Sequence, residues 1–376
     1  MVRRTLQIEI DEFMKIIINS NENKNYTKQA FCEARQKLSS SAFTMLNDIV
    51  IAEYYNDNNF KKYKGRRLLA VDASILEIPD NAETRKIYGY VENGCGLKLA
   101  RAMMAGLYDV ESGIMIESQI NRYTSSERSL FKDNFKKMME YKHSHIRNLI
   151  LFDRGYPSLE LISYLLNENT DFMMRVSKNF LREVNEAKFD DQEVFIKRGK
   201  TEIKIRVIKF KLNSGEEETL ITNLNKDELT FEEAKELYFK RWDIETKFDQ
   251  LKNKLQIENF SGEKPLIVEQ DFYASVLISN IGTLIRNDAK EELMEKNKEK
   301  NLKHDYTINS NIMIGKLKFN LILLLLEENQ EKQAKMYDDF IKEVERNVIP
   351  IRKGRSFSRK KVIQSNRYSK NRRRAL

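Results

Sequence analysis

Cysteine is nearly absent from this 376-residue sequence: Cys32 and Cys95 are too few for a disulfide framework. Histidine is as scarce. His143, His145 and His304 are the only three, which argues against a nitrogen–sulfur zinc cage. There are four prolines, Pro79, Pro157, Pro265 and Pro350, and no long Gly/Ser linker or internal repeat. Long apolar runs are missing too. The longest, Leu321 to Leu326, falls far short of the ~20 residues that span a bilayer. The opening MVRRTLQIEIDEFMK has no apolar stretch of the signal-peptide kind. No membrane partner and an intracellular location are therefore expected. What the sequence does have is length. At ~100–200 residues per domain it holds two or three domains, with room for a core that needs no staples.

The charge is unevenly placed. Of 66 basic residues, eleven lie in the tail 351–376, from Arg352 and Lys353 to Arg373 and Arg374, with no acid among them. The first 350 residues then carry 55 basic and 57 acidic groups, close to balance. A tail of one sign with little apolar content stays disordered or folds on a polyanion, and nucleic acid binds such a tail by counterion release. The alternative is a purely solubilising tail.

The apolar pattern changes period along the chain. Residues 1–62 read as helical. Thr27 can cap KQAFCEARQKL, and the cluster Ser39-Ser40-Ser41 can end it and cap AFTMLNDIVIAEYY, an outline that fits a helix-turn-helix or a plain helical cap on the next domain. Arg67 to Ile75 (RLLAVDASI), Leu99 to Val110 and Gly113 to Tyr123 read as strands. Ser126 to Tyr141 is an amphipathic helix, NLILFD a buried strand, LELISYLLNEN a helix capped by Ser158, and Phe172 to Val176 a strand. Early hairpins followed by strand–helix alternation predict a mixed sheet with helices on its faces, an α/β fold. From Ser177 to Asn225 the pattern is β-rich. Thr230 then caps a predicted helix to about Leu255, and residues 266–300 and 310–348 are again helical.

Two acids sit where acids are costly. Asp72 lies within an otherwise apolar run, and Asp153 ends LILF. An ionised carboxylate needs a cation, a set of hydrogen bonds or a metal to be buried. Two such acids, with no histidine near, suit a Mg²⁺-type oxygen site. The predicted helix supplies a third acid. At ~100° per residue, Tyr238, Arg241, Glu245 and Lys252 share one stripe ~60° wide, beside the apolar stripe of Leu237, Ile244, Phe248, Leu251 and Leu255. A solvated flank of paired charges would look similar. The only tryptophan, Trp242, stands between Arg241 and Glu245, and stacking on bases with forked contact to phosphate uses such groups.

The segment YFKRWDIETKFDQLK resembles the Tyr-Arg-Glu-Lys signature of bacterial insertion-sequence transposases of family four. The spacing matches: Tyr238, two residues, Arg241, three, Glu245, six, Lys252. VDAS around Asp72 and FDRGYPS around Asp153 are similar to that family's other acidic motifs, and ENFSG (258–262) and QDFYASVLISN (270–280) also resemble it. The likeness covers roughly residues 30–300. It implies a ribonuclease-H-like mixed-sheet core interrupted by a β-rich insertion, with helical regions at both ends. The implied organisation is a helical DNA-binding region at 1–62, a first core part at 63–176, the insertion at 177–225, a second core part at 226–300, a helical region at 301–350 and the basic tail at 351–376.

The resemblance further implies cut-and-paste DNA transposition in the bacterial cytoplasm. Asp72, Asp153 and Glu245 would be the catalytic and metal-binding acids, holding two Mg²⁺ ions, with Mn²⁺ as a substitute. Tyr238, Arg241, Lys252, Trp242 and Arg154 would contact DNA. For Trp242 packing against the insertion, and for Arg154 pairing with the acids, are the alternatives. The implied partners are terminal inverted repeats, target DNA and a second copy of the chain. A decayed transposase kept as a DNA-binding protein, or a nuclease of the same fold, are the rival readings.

Overall fold

The structure is a computed structural model and describes residues 5–18, 26–56, 58–92, 94–140, 145–198, 201–212, 215–300 and 302–351. The basic tail beyond Ile351 and the turn residues Asn213 and Ser214 lie outside the described residues. In chain order the first elements are α1 (Leu6–Ile18), α2 (Lys28–Arg35), α3 (Ser41–Asn56), β1 (Arg67–Glu77), α4 (Ala82–Tyr88), β2 (Tyr90–Glu92), β3 (Lys98–Asp109) and β4 (Ile114–Arg122). Then come α5 (Glu127–Met139), β5 (Asn148–Phe152), α6 (Leu159–Asn167), β6 (Asp171–Val176), α7 (Arg182–Asn185), β7 (Asp191–Arg198), β8 (Thr201–Lys211) and β9 (Glu217–Thr222). The last are α8 (Phe231–Phe239), α9 (Trp242–Asp249), α10 (Pro265–Asn297), β10 (Tyr306–Ile308), α11 (Ser310–Leu326), α12 (Gln330–Glu345) and β11 (Val348–Pro350).

The chain divides into two compact units, residues 45–255 and the segments on either side. The first is built on a nine-stranded sheet ordered β2-β3-β1-β5-β6-β9-β8-β7, with β4 also paired to β3. β3 runs antiparallel to both β1 and β4, whereas β5 lies parallel to β1 and β6 parallel to β5. That antiparallel meander followed by two parallel strands is the ribonuclease-H-like arrangement. Every residue of β5 is buried, as is the first half of β1, in keeping with parallel strands covered on both faces. One cover is α5, which buries Leu130, Phe131, Phe135 and Met138. Another is α6, whose N-cap Ser158 accepts a hydrogen bond from the Leu161 N–H. The β-rich stretch continues the same sheet: β9 pairs antiparallel with β6, and β8 and β7 follow.

The second unit holds the long helix α10, with Pro265 at its first position, packed with α11 and α12 around Ile285, Leu317, Phe340 and Ile341. Thr27 caps α2, and Arg35 near its end pairs with Asp271 of α10. Among the described residues no helix is long and apolar enough to cross a membrane.

The helix predicted from Thr230 to Leu255 is not continuous. α8 ends at Phe239 and α9 begins at Trp242, because the N–H groups of Lys240 and Arg241 bond three residues back, to Leu237 and Tyr238. After α9, Gln250–Lys254 form a π-helical turn, closed by Leu255 N–H on the Gln250 carbonyl. A uniform ~100° step therefore fails across this segment. Arg241, expected beside the apolar stripe, lies at the tight turn before α9 and is 2% exposed.

Candidate active site

Asp72 sits where β1 changes from fully to partly buried. Its Oδ1 accepts the Ala73 N–H at 2.9 Å. Its partner across the β1–β3 ladder is Gly106, and a Cβ there would come within 2.6 Å of Met115 Sδ and 3.3 Å of Phe248 on α9. The missing side chain lets α9 press onto the sheet beside Asp72. Asp153 follows the last residue of β5. The parallel register pairs Ala70 with Leu151, and continued two residues further it brings Asp72 level with Asp153 on adjacent strands. Sheet register thus unites two acids separated by 81 positions.

The third acid comes through Arg241. Its Nη2 donates to Glu245 Oε1 at 2.8 Å, one helical turn on, and its Nη1 lies 3.9 Å from Asp72 Oδ2. Tyr238, also buried, donates its hydroxyl to Asp153 Oδ1 at 3.4 Å. Asp72 and Glu245 therefore share the Arg241 guanidinium, while Asp153, level with Asp72 on the next strand, is held by Tyr238. The three acids do not form a closed cage: among the described residues, no three acids, histidines or cysteines are grouped tightly enough to hold a metal ion. Like-charged carboxylates repel, and Arg241 occupies the space that their charge leaves.

The electrostatics follow from burial. Burial raises the Asp72 carboxyl from 3.8 to about 6, against the Ala73 N–H and Arg241, which lower it, while Glu245 and Glu127 raise it further. Burial alone would lower the Arg241 pKa, but Glu245, Tyr238, Asp153 and Asp72 carry it above its ordinary value. Tyr238 is raised by burial and by Asp153.

The remaining candidates divide. Lys252 donates to Ser74 Oγ at 2.8 Å and to the Ile75 carbonyl at 2.6 Å, pinning the π-turn to β1 just beyond Asp72. Trp242 is 41% exposed, with its ring 4.9 Å from the Arg241 guanidinium. Arg154 is half exposed and pairs with Glu218 at 3.5 Å, not with the three acids. Glu218 is bonded by Arg175, whose Nη1 lies 3.9 Å from Asp153. Arg175 and Glu218 stand opposite Leu220 and Phe210 in the β6–β9 and β8–β9 ladders, and no spacing in the sequence marks them. Two more groups were not legible: Glu127, the first residue of α5, and Tyr156, whose buried hydroxyl has no hydrogen-bond partner among the described residues. For Tyr156 a signal was present, its place three residues after Asp153 in FDRGYPS.

The family model described as the transposase DDE domain matches residues 63–281, more than half of the chain. The chain belongs to the transposase DDE domain family. The matched stretch of this transposase domain runs from just before β1 into α10, so it contains all eight candidate residues. No curated protein matches the chain. Among solved structures, the chain is similar to the piggyBac transposase in a cryo-EM synaptic complex with hairpin DNA, at 11% identity and a TM-score of 0.43. That likeness covers 73% of this chain and 57% of the other, so the chain spans less than two thirds of the piggyBac protein.

Proposed function

We propose that this transposase is of the bacterial insertion-sequence kind with the Tyr-Arg-Glu-Lys signature, moving its element by cut-and-paste transposition in the bacterial cytoplasm. Asp72, Asp153 and Glu245 are its catalytic acids. The observation that supports the reading is the pairing of Asp72 and Glu245 through Arg241, with Asp153 level with Asp72 on the adjacent strand and bonded by Tyr238.

The donor set fits a divalent cation. All three ligating groups are hard carboxylate oxygens with no nitrogen or sulfur donor, which selects Mg²⁺, with Mn²⁺ as substitute. When bound, such ions lower the pKa of an attacking oxygen and stabilise the leaving one. The chain's own residues do the rest. Tyr238 fixes one oxygen of Asp153 and leaves the other free. Arg241 holds Glu245 and Asp72 in orientation before DNA arrives. Lys252 locks the π-turn to β1, so Glu245 cannot drift along the sheet. Trp242 presents an exposed ring for a base, and Arg154 an exposed guanidinium for a phosphate. Arg241, buried as it is, acts on the acids and meets DNA only at the scissile phosphate.

The reaction needs no energy source. Water attacks the phosphorus at the element end and the 3′ oxygen leaves as a hydroxyl. That hydroxyl then attacks a target phosphorus, and the target's own 3′ oxygen departs, one ester bond replacing another. Joining two ends to one target requires two active sites, so a homodimer on the terminal inverted repeats is the proposed assembly. A labelled element end incubated with plasmid target and Mg²⁺ tests the reading. Joined product is expected. Cleavage without joining would make the protein a nuclease, and gel retardation alone would make it a binder.

A further inference from the structure

Glu127 opens α5, and an acid in a first turn ordinarily serves only the helix dipole. Its surroundings differ from that case. Arg128, the next residue, donates from Nε and Nη2 to the Gly155 carbonyl at 3.2 and 2.9 Å, and from Nη2 to the Pro157 carbonyl at 3.3 Å. The start of α5 is thereby clamped to the loop that follows Asp153. Glu127 Oε2 lies 3.4 Å from the position that a Cβ on Gly155 would occupy, so the glycine leaves that space to the carboxylate. Glu127 is half-buried and makes no hydrogen bond or ion pair among the described residues. Burial and then Asp153 raise its pKa, and its charge in turn reaches Asp72.

A second observation is independent of the acids. The Tyr156 side chain is 1% exposed, and its hydroxyl has no partner among the described residues. Leaving a buried hydroxyl unpaired costs about 1–3 kcal/mol. Besides burial, the charges that act on this hydroxyl are Glu127, Asp72 and Asp153, with Arg241 opposing them. A buried, unpaired donor one residue from Gly155, the glycine that borders the Glu127 carboxylate, suits a polar guest.

We propose that Glu127 is a fourth carboxylate of the cation-binding centre, acting with Asp153, and that the Tyr156 hydroxyl donates to an oxygen held in that centre. The proposal rests on the transposase reading above and extends it to two residues outside the three-acid set. The fourth acid would add negative charge from α5, on the loop that follows Asp153.

The test is a Mn²⁺ titration of the full chain, with free ion counted by electron paramagnetic resonance, on the wild type and on E127Q, Y156F and D153N. E127Q is expected to weaken Mn²⁺ binding at least tenfold, and D153N at least as much. Thermal melts in chelator are expected to place E127Q and Y156F at or above the wild type, since one loses a like-charge neighbour and the other an unpaired hydroxyl. The Mn²⁺-induced rise in Tm should shrink in both. E127Q binding Mn²⁺ within twofold of the wild type, while D153N loses it, would overturn this proposal and leave the three-acid reading standing. A wild type that binds no Mn²⁺ would sink both together. E127Q melting well below the wild type in chelator would assign Glu127 a packing role and overturn the proposal as well.

Discussion

Asp72 is held at a carboxyl pKa of about 6, mainly by burial, against 3.8 for the free side chain. The folded state therefore binds this proton more tightly than the unfolded chain does. Stability from this group is fully present below the unfolded pKa and is lost as pH rises through about 6. Above that, the ionised carboxylate destabilises the metal-free protein by at most ~3 kcal/mol, at ~1.4 kcal/mol per unit. Its side chain is 23% exposed, and solvent screening brings the expectation to about 1–3 kcal/mol. Asp72→Asn removes the charge while its carbonyl oxygen still accepts the Ala73 N–H. In chelator at pH 8, the Asn variant should thus be the more stable protein. The gap should close as pH falls toward 4. Urea unfolding read by Trp242 fluorescence is a suitable assay, because that ring lies against Arg241 in the same site. Saturating Mg²⁺ should reverse the order, stabilising only the wild type. Equal stabilities at pH 8, or a gap that ignores pH, would refute the claim that Asp72 is a desolvated carboxylate waiting for a cation.

Other outcomes follow from the same geometry. Asp153→Asn and Glu245→Gln should lower end cleavage at least a thousandfold while retardation of the element end stays within a few-fold, as band-shift and cleavage assays together will show. Arg241→Ala leaves Glu245 and Asp72 without their shared cation and should cost about 3–5 kcal/mol in a urea titration, a loss that Arg241→Ala with Glu245→Gln partly restores. Gly106→Ala sets a methyl against Met115 and Phe248 and should cost about 1–3 kcal/mol by the same titration, with cleavage reduced because α9 is displaced. Trp242→Ala, at an exposed ring, should leave stability within about 0.5 kcal/mol of the wild type but weaken DNA binding, measured as Kd against salt.

Much of the scaffold could be read without coordinates. Thr27, Ser158 and Thr230 are helix caps where a capping residue precedes an apolar period. The apolar runs LLAV and LILF read as buried strands, and both are fully buried where β1 and β5 run parallel. Asp72 stood out for the same reason, as a charge in a place that repels charge, whereas Asp153, expected to be as costly, ends its strand with a side chain 39% exposed. These features depend on contacts within one or two turns of the chain, so composition over ten residues is enough to specify them.

Other features needed the whole fold. The break between α8 and α9 leaves no trace in an apolar pattern that runs on through Ile244 and Phe248, yet beside it Arg241 is buried and paired with Asp72 and Glu245. Arg175, Glu218 and Glu127 are ordinary surface-type residues in the sequence. Arg175 and Glu218 come near Asp153 because β6 pairs with β9, and Glu127 borders the loop after β5 because α5 is clamped to it. Chain-local chemistry thus determined which carboxylates were out of place and which segments were strands or helices. Long-range sheet register decided which charges lie near one another, because the field at a side chain depends on distance through space and burial, and neither is encoded by nearness along the chain.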